Sequence, residues 1–362
     1  MKIKWYLPLL LFFLIACTEI YEADIDPPGR IPVIDAYIGN IAGVSYVRLS
    51  YSQPFDTLAL PQRISSANIV VEDNTKIKTI FNETSRGEYK PANASFIGEP
   101  DKTYTLTIDI PGNGIYVSYP QKMLPPVNPS KISGGYATKT VLFENSTGQV
   151  RKREEDICEV YYDFKREGGE IPRLRFTSTQ IVEYILSRGD MNPVVFYCWM
   201  TGNDNSLRFT NEKYGTLSGE ITNQTVSVTS ADKRIIVRDM SERTKTYTDS
   251  MVYTSEFRRI IRITHYRLNA ASYAWYKGIE SQSLSEGKIF DPLTSQLYGN
   301  LYCKSDPDLP VLGFFEVSPV TTTTWVISRD GPGTPITFRN VPNIYPPELG
   351  FTINNPPYFW IN

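Results

Sequence analysis

Short segments of alternating apolar and polar residues fill the first third of the chain. In residues 102–110, Tyr104, Leu106, Ile108 and Ile110 all fall on one side, which is typical of a strand with one buried face. We predict further short strands at residues 33–38, 45–50, 68–73, 76–81, 87–91 and 115–119, with turn residues between them. Such a series favours an immunoglobulin-like β-sandwich over residues 31–128, with the proline-rich stretch 125–129 as the link that follows it.

The remainder of the chain, residues 129–362, has longer and less regular apolar segments. Strands are predicted at residues 158–164, 174–181, 194–199, 234–237, 257–268, 311–317 and 321–328. A helix is predicted near residues 269–284, because Asn269 is a favoured N-cap residue and apolar side chains follow near helical spacing at Tyr273, Tyr276, Ile279 and Leu284. The predicted fold is therefore mainly β: the N-terminal sandwich, then a larger β-rich C-terminal domain with one or two helices.

The first seventeen residues have the pattern of a lipoprotein export signal. Lys2 and Lys4 precede an apolar run that ends at Ala16 and is shorter than the roughly 20 residues needed to cross a bilayer. Residues 14–17, Leu-Ile-Ala-Cys, are similar to the bacterial lipobox, where cleavage precedes a lipidated cysteine. We therefore predict a signal peptide at 1–16 and a lipid, including palmitate, on Cys17. An ordinary signal peptide with a chance cysteine is the alternative.

The lipid and the residues that follow it predict a location. Two or three acyl chains on one cysteine attach a protein durably to a membrane, whereas one chain does not. Residues 17–30 form an acidic tether, with Thr18 where an aspartate would signal inner-membrane retention and with no Lys or Arg before Arg30. We expect an outer-membrane lipoprotein that faces the cell surface. A plain solvated linker is the other interpretation of this segment.

Charge and composition narrow the range of partners. The formal net charge is −2, and it becomes −4 once the signal peptide is removed with Lys2 and Lys4, so nucleic acid is not an expected partner. Aromatic residues make up 13% of the chain, and the 24 tyrosines suit either half-buried strands or contact surfaces. Apart from Cys17 the cysteines are Cys158, Cys198 and Cys303, whose pairing the sequence leaves open.

Several motifs together resemble a known family. They are residues 34–38, 47–52, 104–108, 198–199, 290–292, 299–302, 311–315 and 357–360, together with the lipobox and the predicted helix. They resemble the Bacteroidetes lipoproteins labelled as a domain of unknown function, DUF4249. The resemblance implies a partner, since members are commonly encoded beside TonB-dependent outer-membrane transporters, and it brings no active site. Relatives often carry cysteines where this chain has Tyr345, Pro346 and Pro347, so no family disulfide is inferred.

Residues that could support catalysis are sparse. His265 is the single histidine and shares a strand face with Ile261 and Ile263, which favours a structural role. The acidic run 154–156 follows basic residues 151–153 and is interpreted as a solvated turn. The motifs of nucleophile elbows, phosphate loops, dinucleotide sites and paired-cysteine sites are absent from the sequence. We therefore predict no enzyme activity, no catalytic residues, no cofactor and no metal.

The sequence thus predicts a binding or structural role. The first hypothesis is an accessory partner of a TonB-dependent transporter, with Tyr358, Phe359 and Trp360 as a possible partner surface. The alternatives are a structural accessory subunit of an outer-membrane assembly or secretion complex, and a lipoprotein that captures a glycan or another ligand. Glycan capture requires a concave aromatic cleft, whereas partner docking requires a flat apolar patch. Thr57 and Ser250 match a three-residue pattern for bacterial O-glycosylation.

Overall fold

The computed structural model describes residues 30–53, 60–145, 148–165, 171–188, 194–210, 220–230, 236–238, 251–285, 297–328 and 331–332. These residues form mostly β-strands, which confirms the predicted fold class. The strands are β1 (Pro32–Ile38), β2 (Tyr46–Tyr51), β3 (Asn68–Asp73), β4 (Lys78–Ser85), β5 (Glu88–Pro91), β6 (Thr103–Ile110), β7 (Gly114–Ser118), β8 (Gln121–Lys122), β9 (Lys131–Glu144), β10 (Val150–Lys165), β11 (Leu174–Arg188), β12 (Val194–Phe209), β13 (Glu220–Ser230), β14 (Ile236–Arg238), β15 (Met251–Arg267), β16 (Leu301–Cys303), β17 (Leu312–Val317), β18 (Val320–Ser328) and β19 (Gly331–Pro332). The helix, α1, spans Ala270–Ser285.

The N-terminal strands belong to one sheet with the order β16-β7-β6-β3-β4-β5-β2-β1-β17, and β8 pairs with β6. Strand β4 pairs with β3 through its first residues and with β5 through its last, and the two pairings meet at Phe81. The β1-β2-β5-β4 and β3-β6-β7 groupings are compatible with a two-layered immunoglobulin-like sandwich. The immunoglobulin-like assignment itself stays a prediction.

The core of this first sheet is apolar and follows the predicted alternation. In β6 the buried positions are Tyr104, Leu106, Ile108 and Ile110, the four residues that the sequence pattern places on one face. They belong to a continuous cluster with the inward residues of β1 to β5, β7, β16 and β17. Full burial of one such side chain contributes about 1.5–3 kcal/mol, so this cluster is a principal source of stability for the first sheet.

Two strands of the first sheet come from residues beyond 300. Strand β16 pairs with β7, and β17 runs parallel to β1 with Ile34 opposite Gly313. The sheet therefore crosses the predicted domain boundary at residue 128. A parallel pairing between strands so distant in sequence leaves no local signal, because its partners are not joined by a turn. Gly313 has a φ of +103°, and a Cβ there would stand 1.9 Å from the Ile34 carbonyl oxygen, so a side chain does not fit.

Longer strands form two further sheets. One has the order β13-β10-β9, and the other has the order β12-β11-β15-β18-β19, with β14 paired to β15. Inward side chains of both sheets share a second cluster, which includes Tyr162, Phe164, Phe176 and Ile261. The predicted strands at 158–164, 174–181, 194–199, 257–268, 311–317 and 321–328 are all present. Residues 236–238 form β14, while residues 234 and 235 of the predicted strand at 234–237 lie outside the described part.

The charged run at residues 151–156 corrects one prediction. It is part of strand β10, paired with β9 from Phe143 to Thr138, and it is not a turn. Its side chains are exposed or half-buried, and Arg153 pairs with Glu155. The β9–β10 hairpin at these residues has no buried apolar face, so the alternation that normally signals a strand is missing there. Strands β9 and β13 went unpredicted.

Helix α1 begins as the sequence predicts. The Asn269 side-chain oxygen accepts a hydrogen bond from the Ser272 backbone N–H at 2.9 Å, and the Asn269 carbonyl accepts one from the Tyr273 N–H at 3.0 Å. This is the geometry of an N-cap, which occupies a donor that would otherwise remain unpaired. Tyr273 and Tyr276 pack against Phe209 at ring-centroid distances of 5.8 and 6.5 Å, so this side of the helix faces the end of β12.

The proline-rich link at residues 125–129 is fixed to the second core. Val127 is buried, and its carbonyl oxygen lies 2.6 Å from His265 Nε2. Arg267 Nη1 donates a hydrogen bond of 2.7 Å to the Pro125 carbonyl oxygen. His265 is itself 1% exposed and packs against the rings of Tyr162, Phe164 and Phe176. The predicted structural role of His265 is therefore matched by its contacts, and the link is held to β15 by two hydrogen bonds.

Candidate functional site

A cavity of about 470 Å³ lies where the first sheet, helix α1 and the long strands β11 and β15 meet. This volume is within the range of about 300–1,000 Å³ that is usual for small-molecule sites. Six aromatic side chains line the cavity, and it is hereafter named the aromatic cleft: Tyr37, Tyr46, Tyr266, Trp275, Tyr276 and Phe314. The glycan-capture hypothesis required a concave aromatic surface, and the cleft has that form.

One wall of the aromatic cleft is the outward face of strands β1 and β17. Inward residues of β1 and β17 fill the apolar core, while the alternate residues point the other way and line the cleft. The parallel register places Asp35 opposite Phe314 and Tyr37 opposite Glu316. The two strands therefore bring acidic and aromatic side chains together on one surface.

Arg175, from strand β11, is the cation of the cleft. Its guanidinium carbon lies 4.0 Å from the Tyr266 ring centroid and 4.4 Å from the Tyr276 ring centroid, so the side chain is held by cation–π contacts with two rings. Nη2 of Arg175 lies 3.4 Å from Oε2 of Glu316. Burial lowers the pKa of Arg175, but the Glu316 carboxylate and the nearby tyrosines raise it by more, so the side chain stays charged.

Glu316, from β17, is the anion that faces Arg175. It is 4% exposed, and it accepts a hydrogen bond of 2.5 Å from the Tyr276 hydroxyl and another from the Ser318 hydroxyl. Burial first and the Glu316 charge second raise the pKa of Tyr276 and of Tyr37. Both phenols therefore stay protonated at neutral pH and add no charge of their own to the cleft.

A second opposite-charge pair lies at the mouth of the cleft. Asp35 is exposed, accepts a hydrogen bond of 3.2 Å from the Tyr46 hydroxyl, and lies 3.5 Å from Nη1 of Arg48. The Arg48 guanidinium carbon also lies 4.2 Å from the Tyr46 ring centroid. The mouth therefore repeats the composition of the interior: a carboxylate, a guanidinium and a tyrosine ring.

Helix α1 contributes a second wall, which packs against the first. The Trp275 indole stacks on Phe314 at a centroid distance of 5.3 Å and an interplanar angle of 19°. Phe314 is buried and Trp275 is half-buried, so Phe314 supports an indole that remains partly accessible. The cleft thus combines flat aromatic surfaces with a few fixed polar groups, which is an arrangement suited to non-covalent binding.

A second groove, of about 400 Å³, lies on the outer side of the first sheet, where Ile77 and Ile80 are exposed. Its polar groups include Lys102, which pairs with Asp73 at 3.1 Å and with Glu99 at 2.7 Å. This groove has a single tyrosine and a single phenylalanine. The aromatic cleft is therefore the stronger candidate for a binding site.

Most residues singled out from the sequence lie outside the described part of the chain. These are the predicted lipid site Cys17, the possible glycosylation sites Thr57 and Ser250, and the proposed partner surface Tyr358, Phe359 and Trp360. Nothing in the fold tests them, and they stay predictions. Among the described residues no helix is long and apolar enough to cross a membrane, and no three His, Cys, Asp or Glu side chains are grouped as metal ligands.

The described cysteines are found in separate places. Cys303 is a free, buried thiol in the first core, with its sulfur 3.2 Å from the Ser305 hydroxyl oxygen. Cys158 belongs to the second core. The side chain of Cys198 lies outside the described part, so the question of its pairing stays open.

Sequence reasoning missed Arg175 and Glu316. The two residues are 141 positions apart, and each belongs to a segment predicted only as a strand. The available signal was alternation, since Glu316 falls between the core residues Phe315 and Val317 and so must point out of the first core. Which element covers that outward face depends on tertiary packing.

Comparison with known proteins identifies the family. No curated protein and no solved structure matches the chain significantly. The family model described as "Domain of unknown function (DUF4249)" matches residues 18–324, which is most of the chain. The sequence motifs predicted this membership, and the match confirms it. The protein belongs to the DUF4249 family.

Proposed function

We propose that this protein is an outer-membrane lipoprotein at the cell surface that binds a ligand in its aromatic cleft and serves as the accessory partner of a TonB-dependent transporter. The observation that supports binding most directly is the cleft itself, a cavity of about 470 Å³ lined by six aromatic rings and containing an Arg175–Glu316 pair whose side chains are 12% and 5% exposed. Exported binding proteins that deliver ligands need a formed site of this kind and need no catalytic group.

The walls of the cleft are fixed before any ligand arrives. Tyr37 donates a hydrogen bond of 2.9 Å to the Ser318 carbonyl, and Tyr276 is held by Glu316. Asn269, at the start of α1, donates a hydrogen bond of 3.0 Å to the Gln121 side chain near the end of the first sheet. Because the elements are bound to each other, little ordering is required on binding, which favours affinity.

The lipid on Cys17 would keep the protein near its transporter partner. An anchored protein is confined to the membrane plane, which raises its effective concentration near a transporter barrel, so a modest protein interface is sufficient. The transporter and the lipoprotein then form a pair in which one captures the ligand and the other moves it inward.

Affinity purification of the tagged full-length protein from native envelopes in mild detergent, followed by mass spectrometry, tests the partnership. We expect one TonB-dependent transporter at near-stoichiometric yield. The matched control is Cys17→Ser, which retains the folded part and lacks the lipid, and we expect it to leave the envelope fraction and lose the transporter. A full-length protein that elutes alone, or a Cys17→Ser protein with unchanged envelope location, contradicts the proposal.

The alternative is a structural accessory subunit of an outer-membrane assembly, and the β9–β10 hairpin supports it. The exposed fractions of Leu142 and Val150 are 66% and 68%, and the cross-strand register places both residues on one face of the hairpin. Such a face could contact a protein. The alternative is supported if the full-length protein co-purifies with subunits of an outer-membrane assembly instead of a transporter, and if Leu142→Ser/Val150→Ser abolishes their recovery while Trp275→Ala does not.

A further inference from the structure

We infer that the aromatic cleft binds a neutral oligosaccharide. This rests on the proposed binding role of the cleft and adds the chemical class of the ligand. Three features of the cleft lead to that class: its flat aromatic walls, its paired donors and acceptors, and its balanced charge.

The aromatic walls fit the faces of sugar rings. A pyranose ring presents C–H groups on its faces, and these pack on an aromatic ring with a partly negative π surface. The half-buried Trp275, held flat by Phe314, supplies such a surface on the helix side of the cleft. Tyr46 supplies a second one at the mouth. A purely aliphatic ligand would fill the volume but would leave the polar groups of the cleft without partners.

The polar groups fit hydroxyls better than they fit other ligand groups. A hydroxyl both donates and accepts hydrogen bonds, so it can lie between a guanidinium and a carboxylate and satisfy both. The cleft offers this combination in its interior, as Arg175 with Glu316, and at its mouth the lining residue Asp35 pairs with Arg48, which lies outside the lining. Within the described residues the guanidinium of Arg175 makes one hydrogen bond, at 3.4 Å, out of the five donors that it carries.

The charge balance distinguishes a neutral sugar from an acidic one. Arg175 offsets Glu316 in the interior, and Arg48 offsets Asp35 at the mouth. A ligand carboxylate that approaches Arg175 must also approach Glu316, and repulsion between buried like charges is only weakly screened. A neutral ligand avoids that repulsion, and the cavity volume of about 470 Å³ has room for more than one sugar ring.

The test is a binding titration of the full-length protein in mild detergent, followed by tryptophan fluorescence and calorimetry. The probes are cellohexaose, maltohexaose, xylohexaose and mannohexaose, with oligogalacturonate as the acidic counterpart. We expect at least one neutral probe to bind saturably and to bind at least about tenfold more tightly than oligogalacturonate. Loss of the stacking surface in Trp275→Ala should weaken that binding about tenfold or more.

Two further variants keep the result decisive. Tyr302→Ala removes an exposed aromatic ring of the first sheet outside the cleft and should leave the affinity unchanged. Asp35→Asn is isosteric and exposed, and we expect it to weaken sugar binding even if Trp275→Ala fails to fold. The inference is overturned if no neutral probe binds, if oligogalacturonate binds as tightly, or if both cleft variants bind like the wild type. Such a result leaves transporter co-purification standing as a separate test of the proposed function.

Discussion

The N-terminal sheet and the C-terminal sheets of this protein differ in the side chains that they bury. The core of the first sheet is almost wholly apolar and includes residues such as Leu49, Leu106 and Ile108 at 0% exposure. The sheets of the C-terminal part share an apolar cluster too, but they also bury charged groups: Arg258 of β15 and Glu183 of β11 pair at 2.7 Å with both side chains at most 7% exposed. Arg259 is 1% exposed and donates to Gln180 and Thr229 at 2.6 and 2.8 Å.

The difference shows which part is fixed by apolar packing alone and which part depends on specific pairs. Burial of apolar area is non-directional, whereas buried ions are tolerated only with well-placed partners. The aromatic cleft lies at the border of the two regions: β1 and β17 supply its acidic side chains Asp35 and Glu316, and β11 supplies the cation Arg175. Four variants break or sharpen this comparison.

The largest effect is expected from breaking the buried ion pair. Glu183→Leu removes the carboxylate that pairs with the buried Arg258 guanidinium at 2.7 Å, and we expect a loss of about 3–5 kcal/mol in the free energy of unfolding. The double variant Glu183→Leu/Arg258→Met should recover most of that loss, because both charges of this pair are then removed. Urea denaturation of the full-length chain measures both. A single variant as stable as the wild type would show that water already reaches this pair.

The matching change in the first core is Ile108→Ala. It removes buried volume without exposing a charge, and we expect a loss of about 2–5 kcal/mol that depends on how far the core collapses. Unlike the loss from the broken ion pair, this loss of stability should not be recovered by a second substitution, because Ile108 has no charged partner. Ile80→Ala, at a position that is 58% exposed, is the control and should change the free energy of unfolding by less than about 0.5 kcal/mol. Equal effects at the two positions would refute the burial assignment.

His265 gives the second core a dependence on pH. Burial lowers the pKa of its imidazole, so the folded state holds the ring neutral while the unfolded ring titrates near its usual value of 6.5. Stability from this residue is therefore complete above pH 6.5 and is lost as the pH falls below it, by at most about 1.4 kcal/mol per pH unit. His265→Gln should lack this component. Thermal unfolding between pH 5 and pH 8 measures the difference, and parallel curves for the two proteins would contradict it.

The smallest effect is expected on the β9–β10 hairpin. Arg153 is 60% exposed and pairs with Glu155, and exposed pairs contribute about 0–1 kcal/mol. Arg153→Ala should thus shift the free energy of unfolding by less than about 1 kcal/mol, and added salt should reduce the shift. A loss of more than about 1 kcal/mol in the free energy of unfolding, measured by urea denaturation, would mean that this end of the hairpin is shielded from solvent.

The contrast between the cores also explains how much could be predicted from sequence. Strand β6 could be predicted from the sequence, because four apolar residues at every second position all face one apolar core. The outer part of β10 could not be predicted as a strand, because its charged residues face solvent on both sides and apolar and polar residues do not alternate there. Pairing of β1 with β17, and with it the meeting of Arg175 and Glu316, depends on contacts between distant segments. Such contacts are decided by packing and leave no pattern in one sequence.

Photo-crosslinking decides most directly whether the aromatic cleft is the binding site. A benzophenone amino acid at Ile279, a half-buried residue of the cleft, is compared in the full-length protein with the same group at Leu142 on the hairpin. After illumination with the neutral oligosaccharides, we predict an intact mass raised by one oligosaccharide at position 279 and no such adduct at position 142. Equal labelling of the two positions, or no labelling at 279, would contradict binding in the cleft.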